Sequence, residues 1–254
     1  MNIRLLIAGF LLLFLSSCST ISETTSYDYK NLSINGISDS ISDPQFEEII
    51  APYKQEMDKK LSEVIAYCDE GLISYRPESP LSNFLSDMIL DDAKEYCIEH
   101  DLDFNPQFSL FNHGAIRASL PKGELKLSNA YELMPFENKL VMLLLSGEQV
   151  ISLADYITTR GGEGVSGITF GMLKNKAVDI KVQGLKVDVN KKYWMVTSDY
   201  IANGGDGMKV LTWAEDRLDT EDMIRDIIID HLKRMRDKGE TVHATTDGRI
   251  YNVN

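Results

Sequence analysis

The segment Tyr200–Gly207 combines the residue types that a flat, hydroxyl-rich ligand needs. It reads Tyr-Ile-Ala-Asn-Gly-Gly-Asp-Gly and follows a strand-like run that ends at Thr197. Glycines let a ligand approach the backbone without meeting a Cβ, and Asp206 is the only charged side chain of the segment. A carboxylate accepts hydrogen bonds from neutral hydroxyls. The loop therefore favours a nucleoside, with the base on the Tyr200 ring and the ribose diol on Asp206. An ordinary glycine-rich turn is the alternative.

A second segment, Phe108–Arg117, has the composition of a buried strand that runs into a glycine-containing turn. Its sequence is Phe-Ser-Leu-Phe-Asn-His-Gly-Ala-Ile-Arg. The planar guanidinium of Arg117 suits a phosphate or paired sugar oxygens. The amide of Asn112 can both donate to and accept from a base edge. Both side chains are therefore candidates for contact with one ligand.

A third segment, Leu133–Asn138, follows a short helical stretch and precedes an apolar strand. It reads Leu-Met-Pro-Phe-Glu-Asn. Two aromatic rings on opposite faces of a base would form a clamp, in which stacking contributes roughly 1–3 kcal/mol per base. Phe136 is a candidate for the ring opposite Tyr200. A phenylalanine after a proline at a strand start is also typical of a core residue, so both interpretations stay open.

The three segments, in this order and at these separations, resemble the C-terminal, substrate-binding domain of the 5′-nucleotidase family. In that family an N-x-G-G-I-R-like turn, a P-F-x-N turn and an aromatic residue followed by A-N-G-G-D-G recur in the same order. The resemblance covers about residues 70–215. It implies that Phe136 and Tyr200 clamp a base and that Asp206 holds the ribose diol. It also implies that Asn112 and Arg117 contact the nucleotide.

The chain departs from the family pattern at several positions. Ala115 stands where the family usually has glycine. The family often places an arginine shortly before an E-x-x-x-G-N stretch, whereas here Arg76 is about one residue out of step and Ser82 replaces the glycine. We expect Arg76 to reach the phosphate end of the site. Gly167 matches a glycine near the base pocket of the family and is a further candidate for substrate binding. His113 occupies a variable position of its motif, and we do not expect it to act as a base.

The N-terminus has the layout of a bacterial export signal. A polar start with Arg4 precedes an almost wholly apolar run, Leu5–Leu15, which is too short to span a bilayer. The following Leu-Ser-Ser-Cys resembles a lipobox. We therefore predict a lipoprotein signal peptide at residues 1–17, acylation of Cys18 and a flexible tether over residues 18–42. An ordinary signal peptide with an incidental cysteine is the alternative. The prediction implies export and lipid anchoring to the bacterial envelope, at the outer membrane facing the periplasm or at the cell surface.

Composition bears on the partners. The formal net charge is −13, and an acidic chain repels phosphate backbones, so we expect no nucleic-acid partner.

Besides Cys18 the chain has Cys68 and Cys97. An exported protein could pair them as a disulfide or keep two free thiols, and the sequence fits both. No Cys/His spacing indicates a zinc site.

Hydrophobic periodicity predicts interleaved helices and strands after the tether. Asp43 and Pro44 form a helix-start signal, and apolar residues at helical spacing extend this helix to about Tyr67. A second helix starts at Ser79, and a last helix spans residues 221–238. A flexible glycine-rich loop is predicted at residues 161–164 and an edge strand at 249–253. We therefore predict an α+β (mixed α/β) fold for residues 43–254, a single domain with a mixed β-sheet packed by helices.

The family resemblance also concerns catalysis. In 5′-nucleotidases a separate metallophosphoesterase domain hydrolyses the phosphate with two metals, held by D-x-H, G-N-H-D/E and G-H-x-H patterns; two metals stabilise the attacking and leaving oxygens. None of these patterns is present, and the four histidines are scattered, at His100, His113, His231 and His243. We expect His100 and His231 to be solvated. The sequence thus predicts no catalytic residue, metal ligand or cofactor in this chain, with divalent metals only in a partner, and it leaves open whether the chain counts as an enzyme.

Three hypotheses for the function follow. The leading one is the nucleotide-recognising half of a split 5′-nucleotidase, lipid-anchored, with a separately encoded metallophosphoesterase. The second is a stand-alone nucleoside- or nucleotide-binding lipoprotein without a hydrolytic role. The third is a structural lipoprotein that has lost its ligand; the set of polar and aromatic candidates argues against it.

Overall fold

The computed structural model describes residues 43–253. The predicted signal peptide, Cys18 and the tether lie outside the described residues. In chain order the helices and strands are α1 Pro44–Leu61, β1 Val64–Cys68, α2 Pro80–Glu99, β2 Phe108–Phe111, β3 Gly123–Lys126, α3 Leu127–Leu133, β4 Lys139–Ser146, α4 Gly147–Thr159, β5 Gly164–Ser166, β6 Ile168–Leu173, β7 Lys176–Val182, β8 Leu185–Lys186, β9 Lys192–Ser198, α5 Asp199–Ala202, β10 Asp216–Met223, α6 Ile224–Asp237 and β11 Ile250–Asn252. Short 3₁₀ turns occupy His113–Ala115, Gly205–Gly207 and Lys209–Trp213. The predicted α+β class is confirmed, and the strands divide among three sheets.

The first helix begins where the sequence predicts and ends earlier. Asp43 Oδ1 accepts a hydrogen bond from the Gln45 amide at 3.0 Å, as a capping residue does. The predicted extension to about Tyr67 is wrong, because α1 ends at Leu61 and β1 pairs antiparallel with β3. The β-branched pair at the start of β1 favours a strand, and Ile65 is fully buried in it.

The central sheet is mixed and separates two cores. Its five strands lie in the order β10-β4-β9-β2-β5, with β2 and β9 parallel and the other neighbours antiparallel. Successive side chains of a strand point to opposite faces. In β4, Leu140 and Met142 accordingly join the core that includes residues of α2 and α6, whereas Val141 and Leu143 join the core that includes residues of α4 and β6.

The topology brings the three motif segments to one edge of this sheet. The parallel strands β2 and β9, with Ser109 opposite Val196, both end at this edge, so the residues after them are neighbours. The strand β4 runs antiparallel to β9, with Leu140 opposite Ser198. The segment before β4 therefore reaches the same edge. Backbone direction alone juxtaposes stretches of chain that are distant in sequence.

The C-terminal residues are tied to the start of α2 by one buried carboxylate, that of Glu78. Ser79 caps α2, and Pro80 begins the helix as predicted. Glu78 is buried and accepts hydrogen bonds from the Asn83 side chain and from the Asp247 amide, both at 2.7 Å. The predicted edge strand is confirmed as β11, which pairs with β6 at the end of a four-stranded sheet, β11-β6-β7-β8.

Two cysteines are buried and one histidine is half-buried. Cys68 and Cys97 are both free and buried, and burial raises the pKa of both thiols. The expectation of a solvated His231 is only partly right, because the residue is half-buried and its ring packs edge-on against Phe84 with 5.8 Å between centroids. Burial lowers the pKa of His231. Within residues 43–253, no helix combines the length and apolar character needed to cross a bilayer.

Candidate functional site

A pocket of about 480 Å³ opens at the edge where the three segments meet. It is lined by Asn112, Gly114, Ala115, Arg117, Phe136, Glu137, Asn138, Tyr200 and Asp206. Five of the predicted binding residues thus lie around one cavity, whose size falls within the range of small-molecule sites.

Both aromatic candidates face solvent rather than a core. Phe136 is 39% exposed and Tyr200 is 47% exposed, whereas Phe108 and Phe170 are at most 1% exposed. Of the two interpretations of Phe136, the placement favours a pocket residue. Large rings that line a cavity and stay open to solvent present faces on which a base can stack.

One of the two pocket carboxylates, that of Asp206, is held in an unusual backbone conformation. Asp206 has φ 53°, in the left-handed region that few non-glycine residues adopt. Its Oδ1 contacts the Tyr200 hydroxyl at 3.1 Å, and its Oδ2 accepts from Asn112 Nδ2 at 3.0 Å. A Cβ on Gly205 would overlap the ring and carbonyl of Tyr200. The glycine therefore allows the ring to lie against its own loop and its hydroxyl to reach Asp206.

Three residues behind the pocket, Arg76, Arg160 and Glu163, form what we term the backing cluster. The Glu163 side chain is fully buried. Its Oε1 accepts from Arg160 Nε at 2.7 Å and from Arg76 Nη2 at 3.0 Å. Its Oε2 accepts from the backbone amide of His113 at 2.6 Å. The cluster ties the turn after β2 to the end of α4.

Arg160 and Glu163 were not among the predicted site residues. The predicted flexible loop at 161–164 is wrong in part, because Gly162, Glu163 and Gly164 are buried and a Cβ on Gly162 would overlap the Pro77 backbone. A lone acid between glycines, three residues after an arginine, was the available signal. Nothing in that pattern alone indicates which distant groups the acid meets.

The remaining candidates differ in their placement. Arg117 lines the pocket, with its guanidinium 5.8 Å from the centroid of the Phe136 ring, within the range of a cation–π contact. Arg76 is paired with Glu163 and also donates to the Gly162 carbonyl. Gly167, with φ 72°, turns the chain between β5 and β6, where a Cβ would overlap the Gln107 backbone. Neither Arg76 nor Gly167 is among the residues that line the pocket.

His113 lies beside the backing cluster, and its surroundings favour the neutral ring. Burial lowers the pKa of His113, the guanidinium groups of Arg76 and Arg160 lower it further, and Glu163 opposes them. Its Nδ1 is 2.8 Å from the Ser74 hydroxyl, and its buried Nε2 has no hydrogen-bond partner among the described residues.

The described residues of the pocket carry groups that can bind a ligand. In residues 43–253, no group of three or more His, Cys, Asp or Glu side chains is placed to hold a metal ion. The pocket instead offers two rings, two carboxylates, two side-chain amides and a guanidinium. Such a set can stack on a flat heterocycle, accept from hydroxyls and pair with an anion.

Comparison with known protein families identifies the class of protein to which this chain belongs. A model of the 5′-nucleotidase C-terminal domain matches residues 64–213, a span that contains every residue of the pocket. The chain therefore belongs to the 5′-nucleotidase family through this domain, and the resemblance drawn from the three motifs is confirmed.

Individual relatives agree with this assignment. The trifunctional nucleotide phosphoesterase protein YfkN of Bacillus subtilis is 27% identical over 248 residues, which cover 89% of this chain and 16% of that protein. A 5′-nucleotidase-related protein of Glossina morsitans morsitans is 26% identical over 212 residues, covering 74% of this chain and 38% of that protein. The crystal structure of a 5′-nucleotidase precursor from Thermus thermophilus superposes with a TM-score of 0.70 and 29% identity, covering 82% of this chain and 43% of that one. The chain thus spans less than half the length of each of these relatives.

Proposed function

We propose that this chain is the nucleotide-recognising half of a split 5′-nucleotidase, which presents nucleotides to a metallophosphoesterase carried on a separate polypeptide. The observation that carries the proposal is the pocket, in which Phe136, Tyr200 and Asp206 surround one cavity together with Asn112 and Arg117. Each contributes a contact that one part of a nucleotide needs.

The roles follow from side-chain chemistry. The exposed rings of Phe136 and Tyr200 stack on the base. The carboxylate of Asp206 accepts from ribose hydroxyls, and such charge-assisted hydrogen bonds are about twice as strong as neutral ones. Arg117 is the arginine that lines the pocket, so it meets the phosphate. In this proposal Arg76 serves the phosphate end indirectly, by fixing the backing cluster.

The partner supplies the hydrolytic chemistry. The family model that matches is that of a C-terminal domain, and the relatives named above are each more than twice as long as the part that this chain matches. The sequence contains none of the family's metal-binding patterns, and its four histidines are scattered. We therefore assign the divalent metals to the partner and none to this chain.

The proposal includes a location. The lipobox-like Leu-Ser-Ser-Cys motif supports export and acylation of Cys18. The lipid would anchor the protein to the bacterial envelope, where nucleotides from outside the cell are dephosphorylated.

A second function uses the same pocket. The residues proposed to bind the base and the ribose all line one pocket of this chain, so we also propose, as an alternative, a stand-alone nucleoside-binding lipoprotein. A genome in which no metallophosphoesterase gene adjoins this gene favours that alternative.

The two functions are separated by one experiment. The full chain is titrated with adenosine and AMP by calorimetry, and AMP hydrolysis is then followed with Mn²⁺ for the chain alone and after addition of the metallophosphoesterase encoded nearest to it. We expect binding of both ligands, no turnover alone and turnover in the mixture, which Arg117→Ala reduces. Binding without turnover in the mixture supports the stand-alone function. Metal-dependent turnover by this chain alone contradicts the split enzyme.

A further inference from the structure

Asp206 is held in place by an arginine that lies behind the pocket and does not line the pocket. Arg160 directly follows α4 and donates from Nη2 to Asp206 Oδ2 at 3.1 Å. Its Nη1 donates to the backbone carbonyl of Asp206 at 3.0 Å. Tyr156, one turn earlier in α4, donates to the same carbonyl at 2.9 Å. Side chain and backbone of Asp206 are thus fixed by the same guanidinium.

These contacts leave the two carboxylate oxygens of Asp206 unequal. Oδ2 accepts from Asn112 Nδ2 and from Arg160 Nη2, whereas Oδ1 accepts, among residues 43–253, only from the Tyr200 hydroxyl. Each carboxylate oxygen has about two acceptor sites. The protein therefore saturates Oδ2 and leaves acceptor capacity on Oδ1, the oxygen beside the pocket ring.

Arg160 is itself oriented by a buried group. Its Nε donates to Glu163 Oε1 at 2.7 Å, and the Glu163 side chain has no solvent exposure. Burial acts to lower the pKa of Arg160, but the carboxylates of Glu163 and Asp206 outweigh it and raise the pKa, so the guanidinium stays charged. A non-glycine residue in the left-handed region persists only where its surroundings fix it. Arg160 provides that restraint for Asp206.

We propose that Arg160 is a positioning residue for sugar recognition, which turns Asp206 so that Oδ1, and not Oδ2, accepts from a hydroxyl of the ligand. The inference rests on the proposed function and extends it, since it assigns the specificity for ribose to a pair of residues, only one of which touches the ligand. Lysine at this position keeps the charge but cannot contact Oδ2, the Asp206 carbonyl and Glu163 together.

The test measures binding of adenosine and 2′,3′-dideoxyadenosine by the full chain and its variants. In Arg160→Lys we expect adenosine affinity to fall about tenfold, the scale of one hydrogen bond to a charged group, while dideoxyadenosine affinity changes less than about twofold. In an Asp206→Asn background the same substitution should change adenosine affinity less than about twofold, because Arg160 acts through Asp206. The matched control is Arg217→Lys, which alters an arginine bonded to Asn203 of the same loop; it should leave both affinities unchanged.

Two results overturn the inference. One is an equal loss of both affinities in Arg160→Lys, and the other is an undiminished loss in the Asp206→Asn background. If the wild-type chain binds neither nucleoside, the proposed function is wrong, but the positioning role of Arg160 can still be tested. Ligand-free crystal structures of wild type and Arg160→Lys then provide that test. The inference predicts that Arg160→Lys separates Asp206 Oδ1 from the Tyr200 hydroxyl. An unchanged contact between these groups overturns it.

Discussion

The pocket and the backing cluster behind it are built on opposite principles. The Phe136 and Tyr200 side chains are 39% and 47% exposed and line an open pocket. The Glu163 side chain, in contrast, is fully buried and accepts from two arginines and a backbone amide. We infer that the pocket residues are free to serve a ligand, whereas the cluster residues carry stability and hold the pocket in shape. Substitutions in the two regions should therefore separate binding from stability.

The largest expected effect is on stability, from Glu163→Gln. Loss of this charge leaves Arg160 and Arg76 without their shared carboxylate, and breaking a buried ion pair costs about 3 kcal/mol. The free energy of unfolding should fall accordingly in urea titrations. The control is Glu137→Gln, an exposed acid that lines the pocket, for which we expect a change within about 0.5 kcal/mol. Similar small losses for both variants would remove the distinction between the two regions.

A substitution in the pocket should weaken ligand binding and leave the stability of the fold nearly unchanged. Phe136→Ala should weaken nucleoside binding by roughly 1–3 kcal/mol, the contribution of a stacked base, and leave the urea midpoint nearly unchanged. Phe104→Ala offers the contrast, because its ring stacks on Trp194 with 3.8 Å between centroids and does not line the pocket. It should lower stability and keep normal binding per folded molecule. If Phe136→Ala instead unfolds the protein with normal binding per folded molecule, Phe136 is a core residue.

The pH dependence of stability provides a smaller effect. Burial lowers the pKa of His113 in the folded state, so the unfolded chain takes up its proton first as the pH falls through about 6.5. The contribution of the neutral His113 ring to the free energy of unfolding is therefore fully present above that pH and is lost below it. Asp92 acts in the opposite sense, since burial raises its pKa to about 6, and its protonation stabilises the folded state as the pH falls through that value.

A single variant isolates the histidine. Between about pH 7.5 and about pH 5.5, wild type should lose more stability than His113→Asn, by up to about 1.4 kcal/mol per pH unit for one proton. Asp92 is unchanged in both proteins, so its contribution cancels. Parallel stability curves for the two proteins would show that His113 titrates normally in the fold.

The difference between the pocket and the backing cluster also explains which features could be predicted from the sequence. The α+β class could be predicted because hydrophobic periodicity is a local signal, and five pocket residues could be predicted because they lie in three short motifs that resemble those of a known family. The contact between Arg160 and Asp206 joins residues 46 positions apart and depends on how α4 packs, which no local pattern encodes. The helix end at Leu61 was missed for a related reason. Apolar residues after that point fit a helical period and a short strand equally, and pairing with β3 decides between them.

The most direct test of the account is the binding of adenosine and 2′,3′-dideoxyadenosine to wild type and Asp206→Asn, measured by calorimetry on the full chain. The central claim is that the pocket recognises a nucleoside through its base and its ribose hydroxyls. We predict that wild type prefers adenosine and that Asp206→Asn loses most of this preference, since a hydrogen bond to a charged group contributes about 1.5–3 kcal/mol. Affinity for the dideoxy analogue, which keeps the base, should be nearly equal in the two proteins. Equal losses of both affinities, or no preference in wild type, would contradict the claim.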